Sequence, residues 1–117
     1  MARILLADDD KGMLDTVGRA LQRDGHVVTT TDDGGEAAAK LGAGAFDLLI
    51  SDIQMPGVDG IELAQRAVTL QPRPAIVLMS GHTDALDQAR KIAGVRVLAK
   101  PFQIDALRAI IRAATGT

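Results

Sequence analysis

The sequence predicts an α/β fold in which helices cover both faces of a five-stranded parallel sheet, a doubly wound arrangement with five helices. Short apolar runs bounded by turn residues alternate five times along the chain with longer segments of helical periodicity. The runs are rich in Val, Ile and Leu, as strands that are buried on both faces are. The chain has 117 residues, 47% of them hydrophobic, which suits one domain, residues 1–117, built around a single core.

The apolar runs define the expected strands. Four of them are almost entirely aliphatic, whereas the second, residues 27–31, consists of two valines and three threonines. A short, threonine-rich strand is typical of a half-exposed sheet edge, so we expect the second strand to lie there. The predicted strands are residues 4–7, 27–31, 48–50, 75–79 and 95–99.

The helices are expected between and after the strands. Asp10 is a suitable N-cap for the first helix, and Gly25 lies where a helix commonly stops. Glycine pairs at 34–35 and at 42 and 44 bracket the second segment. The remaining helices are predicted at residues 36–41, from about 59 to before Pro72, at 84–93 and at 104–114.

Composition excludes several classes of function. The net charge is −2, which provides no basic field for nucleic acid or for an anionic membrane. Without cysteine there is no disulfide or thiolate metal site, and aromatic residues make up only 2% of the chain. The apolar stretch at residues 4–7 is too short for a signal peptide or a membrane span. We therefore expect a cytoplasmic protein with no nucleic-acid or membrane partner.

Polar residues follow four of the five predicted strands. Asp8 and Asp9 come after the first, Asp52 after the third, Ser80 after the fourth and Lys100 after the fifth. Because the carboxyl ends of parallel strands meet at one edge, where such folds bind their ligands, we expect these side chains to lie together. Taken singly, each has a plainer explanation as a helix cap, a turn residue or a solvated charge. Their joint placement favours a site.

The chemistry of this set indicates phosphoryl transfer. Clustered carboxylates repel one another unless a cation compensates, and oxygen ligands without thiols suit Mg²⁺. The ammonium of Lys100 adds a second positive charge. No glycine-rich loop is present to cradle a nucleotide, so the phosphoryl group is expected on the protein itself. Asp52, alone on a central strand, is the best nucleophile for an aspartyl-phosphate.

The same residues carry a family resemblance. Over essentially its whole length the sequence resembles the receiver domains of two-component response regulators. The resemblance implies the strand order 2-1-3-4-5 of a flavodoxin-like receiver. The matching pieces are residues 4–10, 52–60, 79–81 and 100–102.

The resemblance also implies roles at the metal. Asp9 and Asp52 would bind Mg²⁺ directly, Asp8 would bind it through water, and the backbone carbonyl of Gln54 would supply another ligand. The implied function is that of a phosphoacceptor in a phosphorelay, which assists only its own phosphorylation and dephosphorylation and is otherwise not an enzyme.

At the phosphoryl group, the resemblance implies that Asp52 is loaded from a phosphohistidine of a histidine kinase or a histidine phosphotransferase. Ser80 would hydrogen-bond one phosphoryl oxygen and Lys100 would pair with another. The peptide bond between Lys100 and Pro101 is cis in the family.

Two positions depart from the family pattern. Val97 stands where receivers usually have Phe or Tyr, and a valine has no ring to re-aim when the serine moves. We therefore expect the loop after Ser80, with the helix that follows it, to carry the signal. His82 in that loop is either an interaction residue or an exposed loop histidine. Gly57 leaves the turn after Asp52 without a large side chain, which opens the site to water and donor.

The surface that would respond is formed by the fourth helix, the fifth strand and the fifth helix. Its candidate contact residues are Arg96, Gln103 and Arg112, although the two arginines are by default a solvated face. Leu107 and Ile111 are expected in the core.

Within receivers, residues 59–64, Val97 and the ending after the fifth helix most resemble stand-alone CpdR-like regulators. That resemblance implies control of ClpXP-dependent proteolysis through a protease or adaptor target. A DivK-like regulator of kinases or a phosphate sink is the alternative. A Mg²⁺-dependent aspartyl phosphatase is disfavoured because position 54 is Gln rather than an acid and no cap segment is present. A DNA-binding output is disfavoured because no helix-turn-helix follows.

Overall fold

Five strands and five helices alternate in the computed structural model, which describes residues 1–116. The strands are β1 (Arg3–Ala7), β2 (Val27–Thr31), β3 (Leu48–Asp52), β4 (Ala75–Ser80) and β5 (Arg96–Ala99). The helices are α1 (Lys11–Arg23), α2 (Gly34–Ala43), α3 (Gly60–Ala67), α4 (Thr83–Arg90) and α5 (Ile104–Thr115). The longest of these helices has 13 residues, so none reaches across a bilayer.

All four strand pairings are parallel and give the order β2-β1-β3-β4-β5, which confirms the doubly wound fold and its predicted order. The threonine-rich β2 lies at an edge, as expected, and β3 is central. In the register, Ala7 pairs with Ser51 and Asp52 pairs with Met79. The carboxyl ends of β1, β3 and β4 are therefore level, which places the residues that follow them at one edge.

Alternation along the central strands divides the core into two layers. Leu5, Leu49 and Leu78 face the layer under α2, α3 and α4. Leu6 and Ile50 face the layer under α1 and α5. Because successive strand residues point to opposite faces, each central strand has to be apolar throughout, which explains the continuous aliphatic runs in the sequence.

Several helix boundaries differ from the prediction by a few residues, and two of them have a clear physical reason. Helix α2 begins at Gly34 rather than at residue 36, because the Asp33 side chain accepts a hydrogen bond from the Glu36 backbone N–H and caps the helix there. Helix α4 ends at Arg90 rather than at residue 93. Beyond it, the Ile92 N–H bonds to a carbonyl only three residues back, and the chain turns at residues 91–94 before β5 begins at Arg96.

Gly34 joins helix α2 to the loop between β3 and α3. Its backbone N–H donates to the carbonyl of Pro56 at 3.2 Å. A Cβ at this position would lie 1.7 Å from the carbonyl oxygen of Val58, which no side chain can tolerate. The glycine that looked like a helix boundary in the sequence is thus a point of close backbone approach inside the first turn.

Candidate functional site

The carboxylates of Asp8, Asp9 and Asp52, called here the acidic cluster, meet at the carboxyl edge of the sheet. Each offers an oxygen within 4.8 Å of the others. Asp52 is the last residue of β3, and Asp8 and Asp9 follow β1 directly. Asp8 is fully buried and Asp52 is 7% exposed, whereas Asp9 faces solvent. The cluster thus has two inner carboxylates and one outer carboxylate at an accessible surface.

Lys100 reaches the cluster from the end of β5. Its Nζ lies 2.7 Å from Asp8 Oδ2 and 3.3 Å from Asp52 Oδ1. Its backbone N–H donates to the carbonyl of Ser80 at 2.9 Å, which ties the ends of β4 and β5 together. The Lys100-Pro101 peptide bond is cis, as the resemblance implied. One ammonium is therefore shared by two carboxylates.

The protonation equilibria reflect this crowding. Burial raises the pKa of Asp52 above its ordinary value, and the neighbouring charge of Asp8 raises it further, while Lys100 opposes both. For Lys100, burial alone would lower the pKa. Its hydrogen bond and charge interaction with Asp8, together with Asp52, outweigh burial and raise the pKa of the ammonium above its ordinary value. The site holds its lysine charged and carries more negative charge than that lysine offsets.

The three consecutive aspartates have different environments. Asp10 caps α1 by accepting a hydrogen bond from the Met13 N–H at 3.2 Å. Asp8 accepts the Asp10 N–H on Oδ1 at 2.9 Å and the Lys100 ammonium on Oδ2. Asp9 stands between Asp8 and Asp10 in the sequence, and its side chain is exposed to solvent. The capping explanation is therefore right for Asp10, while Asp8 and Asp9 belong to the acidic cluster.

The donor set of the cluster fits a hard divalent cation. The three carboxylates each offer an oxygen within 4.8 Å of the others, and the Lys100 ammonium lies within 3.3 Å of two of them. Mg²⁺ is bound by a few carboxylates and keeps positions open for water and phosphoryl oxygens, and the exposed side of Asp9 leaves room for them. A thiophilic metal would find no ligand here, because the chain has no cysteine.

Ser80 ends β4 and points its hydroxyl at the loop after β3. Its Oγ donates to the side-chain Oε1 of Gln54 at 2.9 Å and accepts the His82 backbone N–H at 3.0 Å. The family resemblance implied a role for the Gln54 backbone carbonyl, and the sequence analysis missed this side-chain contact. The available signal was topological, since the residues that follow the adjacent strands β3 and β4 necessarily lie side by side.

Val97 and the predicted contact residues lie on or next to β5 and α5. Val97 is half-buried and packs against the core layer under α4. The exposed Arg96 donates from its guanidinium to the carbonyl of Ala113 in α5 at 3.2 Å, so it also joins β5 to α5. Gln103 and Arg112 are exposed.

The predicted core and loop positions also have clear locations. Leu107 and Ile111 are buried, as expected. His82 is exposed at the N-cap position of α4, where its side chain makes no capping hydrogen bond. Gly57 is exposed with a φ of +78°, a conformation that glycine adopts without strain.

Residues 4–112 match the family of the response regulator receiver domain. The chain is 40% identical to the response regulator receiver protein CpdR of Brucella abortus over 106 residues, 89% of this chain and 88% of CpdR. It is 38% identical to the transcriptional regulatory protein FixJ of Bradyrhizobium diazoefficiens over 113 residues, 95% of this chain. It therefore spans only 55% of that longer relative.

The fold comparison agrees with the sequence comparison. The crystal structure of the response regulator TrrA from Thermotoga maritima, in complex with Mg²⁺-BeF, superposes with a TM-score of 0.87 at 29% identity, covering 97% of this chain and 99% of TrrA. The sheet order, the acidic cluster at its carboxyl edge and the family match lead to one conclusion. The chain belongs to the receiver domain family of two-component response regulators, the phosphoacceptor partners of histidine kinases and histidine phosphotransferases.

Proposed function

We propose that residues 1–117 act as a receiver domain in which Asp52 accepts a phosphoryl group from a phosphohistidine. One observation carries this assignment: a nearly buried carboxylate at the end of the central strand lies beside two further carboxylates and 3.3 Å from a lysine ammonium. A carboxylate in this setting is a nucleophile whose reaction with phosphorus is assisted by nearby positive charge.

The proposed transfer is an in-line displacement. An Asp52 carboxylate oxygen forms a bond to phosphorus while the bond between phosphorus and the donor imidazole nitrogen breaks, and the imidazole keeps that electron pair. Lys100 lies close enough to Asp52 to pair with a phosphoryl oxygen, and Ser80 ends the adjacent strand, from where its hydroxyl would bond to another.

The acidic cluster is the proposed metal site. Asp9 and Asp52 would hold Mg²⁺ directly, Asp8 through water, and the Gln54 backbone carbonyl would complete the protein ligands. When bound, Mg²⁺ neutralises charge on the phosphoryl oxygens. The complex of TrrA with Mg²⁺-BeF supports this choice of metal, because TrrA has the same fold and binds that ion.

The direct test is chemical labelling. Incubation with acetyl phosphate and Mg²⁺ should add one phosphoryl group to the intact mass, because a small donor bypasses the histidine protein. The variant Asp52→Asn should add none, and chelation of Mg²⁺ with EDTA should sharply reduce labelling of the wild type. Asp15→Asn, a change on the exposed side of α1, is the matched control and should label like the wild type. Labelling that persists in Asp52→Asn would assign the acceptor elsewhere.

The proposed output is a change in protein binding. A phosphoryl group adds roughly one and a half to two negative charges, which compete with Asp8 for Lys100 and draw in Ser80. Ser80 is bonded to the His82 N–H at the start of α4, so its displacement reaches the loop and helix that follow. This route does not need an aromatic ring at Val97. The responding surface would comprise α4, β5 and α5.

By similarity to CpdR, we propose that the bound target belongs to ClpXP-dependent proteolysis, either the protease or an adaptor. Immobilised ClpX should capture different amounts of the untreated and the acetyl phosphate-treated protein. Asp52→Ala should behave identically with and without treatment. Equal capture of both forms would contradict a protease switch, and a change in the activity of a histidine kinase on adding the phosphorylated protein would instead indicate a DivK-like regulator.

A further inference from the structure

We infer that the side chain of Gln54 is a positioning residue that holds the Ser80 hydroxyl in the unphosphorylated arrangement and competes with the phosphoryl group for it. This inference rests on the proposed phosphoacceptor function, and it concerns the Gln54 side chain rather than the backbone carbonyl proposed as a metal ligand. The observation behind it is the 2.9 Å hydrogen bond from Ser80 Oγ to Gln54 Oε1.

The Ser80 hydroxyl cannot donate to Gln54 and to a phosphoryl oxygen at the same time. A serine hydroxyl has one hydrogen to donate, and Ser80 gives it to Gln54. Its oxygen already accepts the His82 N–H at 3.0 Å. Ser80 is fully buried, so water cannot readily substitute for either partner. Ser80 can therefore donate to a phosphoryl oxygen on Asp52 only after it releases Gln54.

The two partners of this bond respond differently to its loss. Gln54 is exposed, and its amide can turn towards water at little cost. Ser80 is buried and needs a new acceptor, which the phosphoryl group supplies. The bond thus opposes phosphorylation by roughly the net strength of one neutral hydrogen bond, which corresponds to about a two- to tenfold effect on affinity.

The groove beside the site provides a matched control. It has a volume of about 610 Å³ and is lined by Gln54 from the β3–α3 loop and by Gln88 from α4, among other residues. Both glutamines are exposed, but it is Gln54 that accepts the Ser80 hydrogen bond. Replacing either residue by alanine removes the same amide from the same groove.

The experiment measures the affinity for beryllofluoride, a stand-in for the phosphoryl group, at saturating Mg²⁺ by ¹⁹F NMR titration. Gln54→Ala should bind about two- to tenfold more tightly than the wild type, and Gln88→Ala should bind like the wild type. In a Ser80→Ala background, Gln54→Ala should change the affinity by less than about 1.5-fold, because the bond no longer exists. Without ligand, the ¹H–¹⁵N resonance of His82 should shift in Gln54→Ala.

Unchanged or weaker binding by Gln54→Ala would overturn the inference, as would an equal gain in the Ser80→Ala background. Weaker binding would assign the Gln54 amide to holding the phosphoryl group instead. Failure of the wild type itself to bind beryllofluoride would count against the phosphoacceptor function, and the His82 shift without ligand would still report on the hydrogen bond. Thermal unfolding of each variant verifies that it is folded.

Discussion

At the scale of single residues, burial decides what each carboxylate does. Asp8 is fully buried, and each of its two carboxylate oxygens accepts a hydrogen bond. One comes from the Asp10 N–H and the other from the Lys100 ammonium. Asp9, one residue later, faces solvent. A buried carboxylate that loses its partner destabilises the fold, because water cannot solvate its charge. An exposed carboxylate that loses its partner is solvated by water instead. Lys100 therefore matters for stability as well as for chemistry.

Lys100→Met tests this point. It keeps the length of the side chain but leaves Asp8 and Asp52 facing each other with no ammonium between them. Without metal, the variant should lose about 1 to 3 kcal/mol of unfolding free energy, and the pKa of Asp52 should rise further. Mg²⁺ should restore part of the loss, because the cation replaces the missing charge. Urea unfolding in EDTA and in Mg²⁺ measures both effects.

Lys40→Met is the control for that measurement. Lys40 lies on α2, where its ammonium is 4.0 Å from an exposed Glu36 carboxylate. An exposed pair of this kind contributes little, so the change should stay within about 0.5 kcal/mol in either buffer. Two outcomes would contradict this role of Lys100: an equal loss of unfolding free energy in both variants, or a loss in Lys100→Met that Mg²⁺ does not reduce. Either would show that Lys100 does not stabilise the fold by compensating the charges of Asp8 and Asp52.

The sequence predicted which residues converge but not how each side chain is oriented. Asp8, Asp52, Ser80 and Lys100 could be placed at one edge because they end or follow parallel strands, and parallel strands bring those positions together. The bond from Ser80 to Gln54 depends on the path of the loop after β3 and on the rotamers it allows. Those follow from packing around the loop, which single-residue preferences do not encode.

At the scale of helices and strands, helix starts were more predictable than helix ends. Asp10, Asp33 and Asp59 each cap a helix by accepting the backbone N–H three residues on. Two of these caps agree with the predicted starts. The cap at Asp33 was missed, because Gly34 was interpreted as a helix breaker although it lies in the first turn of α2. Tertiary contact with the β3–α3 loop outweighed the local preference.

Two glycines of α2 separate these effects experimentally. Gly34→Ala forces a Cβ to within 1.7 Å of the Val58 carbonyl oxygen, so helix and loop must move apart. We expect a loss of about 1 to 3 kcal/mol and shifts in the amide resonances of residues 56–58. Gly42→Ala meets nothing within 4 Å and should stabilise the protein by about 0.5 to 1 kcal/mol, because alanine is the better helix former. Urea unfolding compares the two.

If Gly34→Ala and Gly42→Ala changed the unfolding free energy in the same direction, this explanation of Gly34 would be wrong. A loss at Gly34 without resonance shifts in residues 56–58 would also contradict it, because the strain would then have to reside elsewhere. The result has a functional side, since residues 56–58 belong to the β3–α3 loop, which begins just after Asp52 and contains Gln54. Movement of that loop should also weaken beryllofluoride binding in Gly34→Ala.

At the scale of the whole molecule, the alternating pattern determines the class of fold but not the order of the strands. Five strands alternating with five helices favour a parallel sheet with two helical layers, and the two core layers on opposite faces of the sheet agree with that. Composition also predicted the position of one strand, because the threonines of β2 are typical of a strand at the edge of a sheet. The full order β2-β1-β3-β4-β5 came from the family resemblance and is confirmed by the pairings.

The acidic cluster couples the stability of the whole fold to divalent cations. Folding brings Asp52 next to Asp8 and Asp9, which are neighbours in the sequence but far from Asp52 along the unfolded chain, so Mg²⁺ should bind the folded state preferentially. At a concentration ten times its dissociation constant, Mg²⁺ should raise the unfolding free energy by about 1.4 kcal/mol, seen as a higher thermal midpoint.

NaCl at matched ionic strength should give a smaller rise in the thermal midpoint, because screening of charges does not replace coordination by the carboxylates. Asp9→Asn should lose most of the Mg²⁺ effect, while Asp15→Asn, on the exposed side of α1, should keep it. An equal response in both variants would mean that the cation acts on the general charge of the surface and not through the cluster.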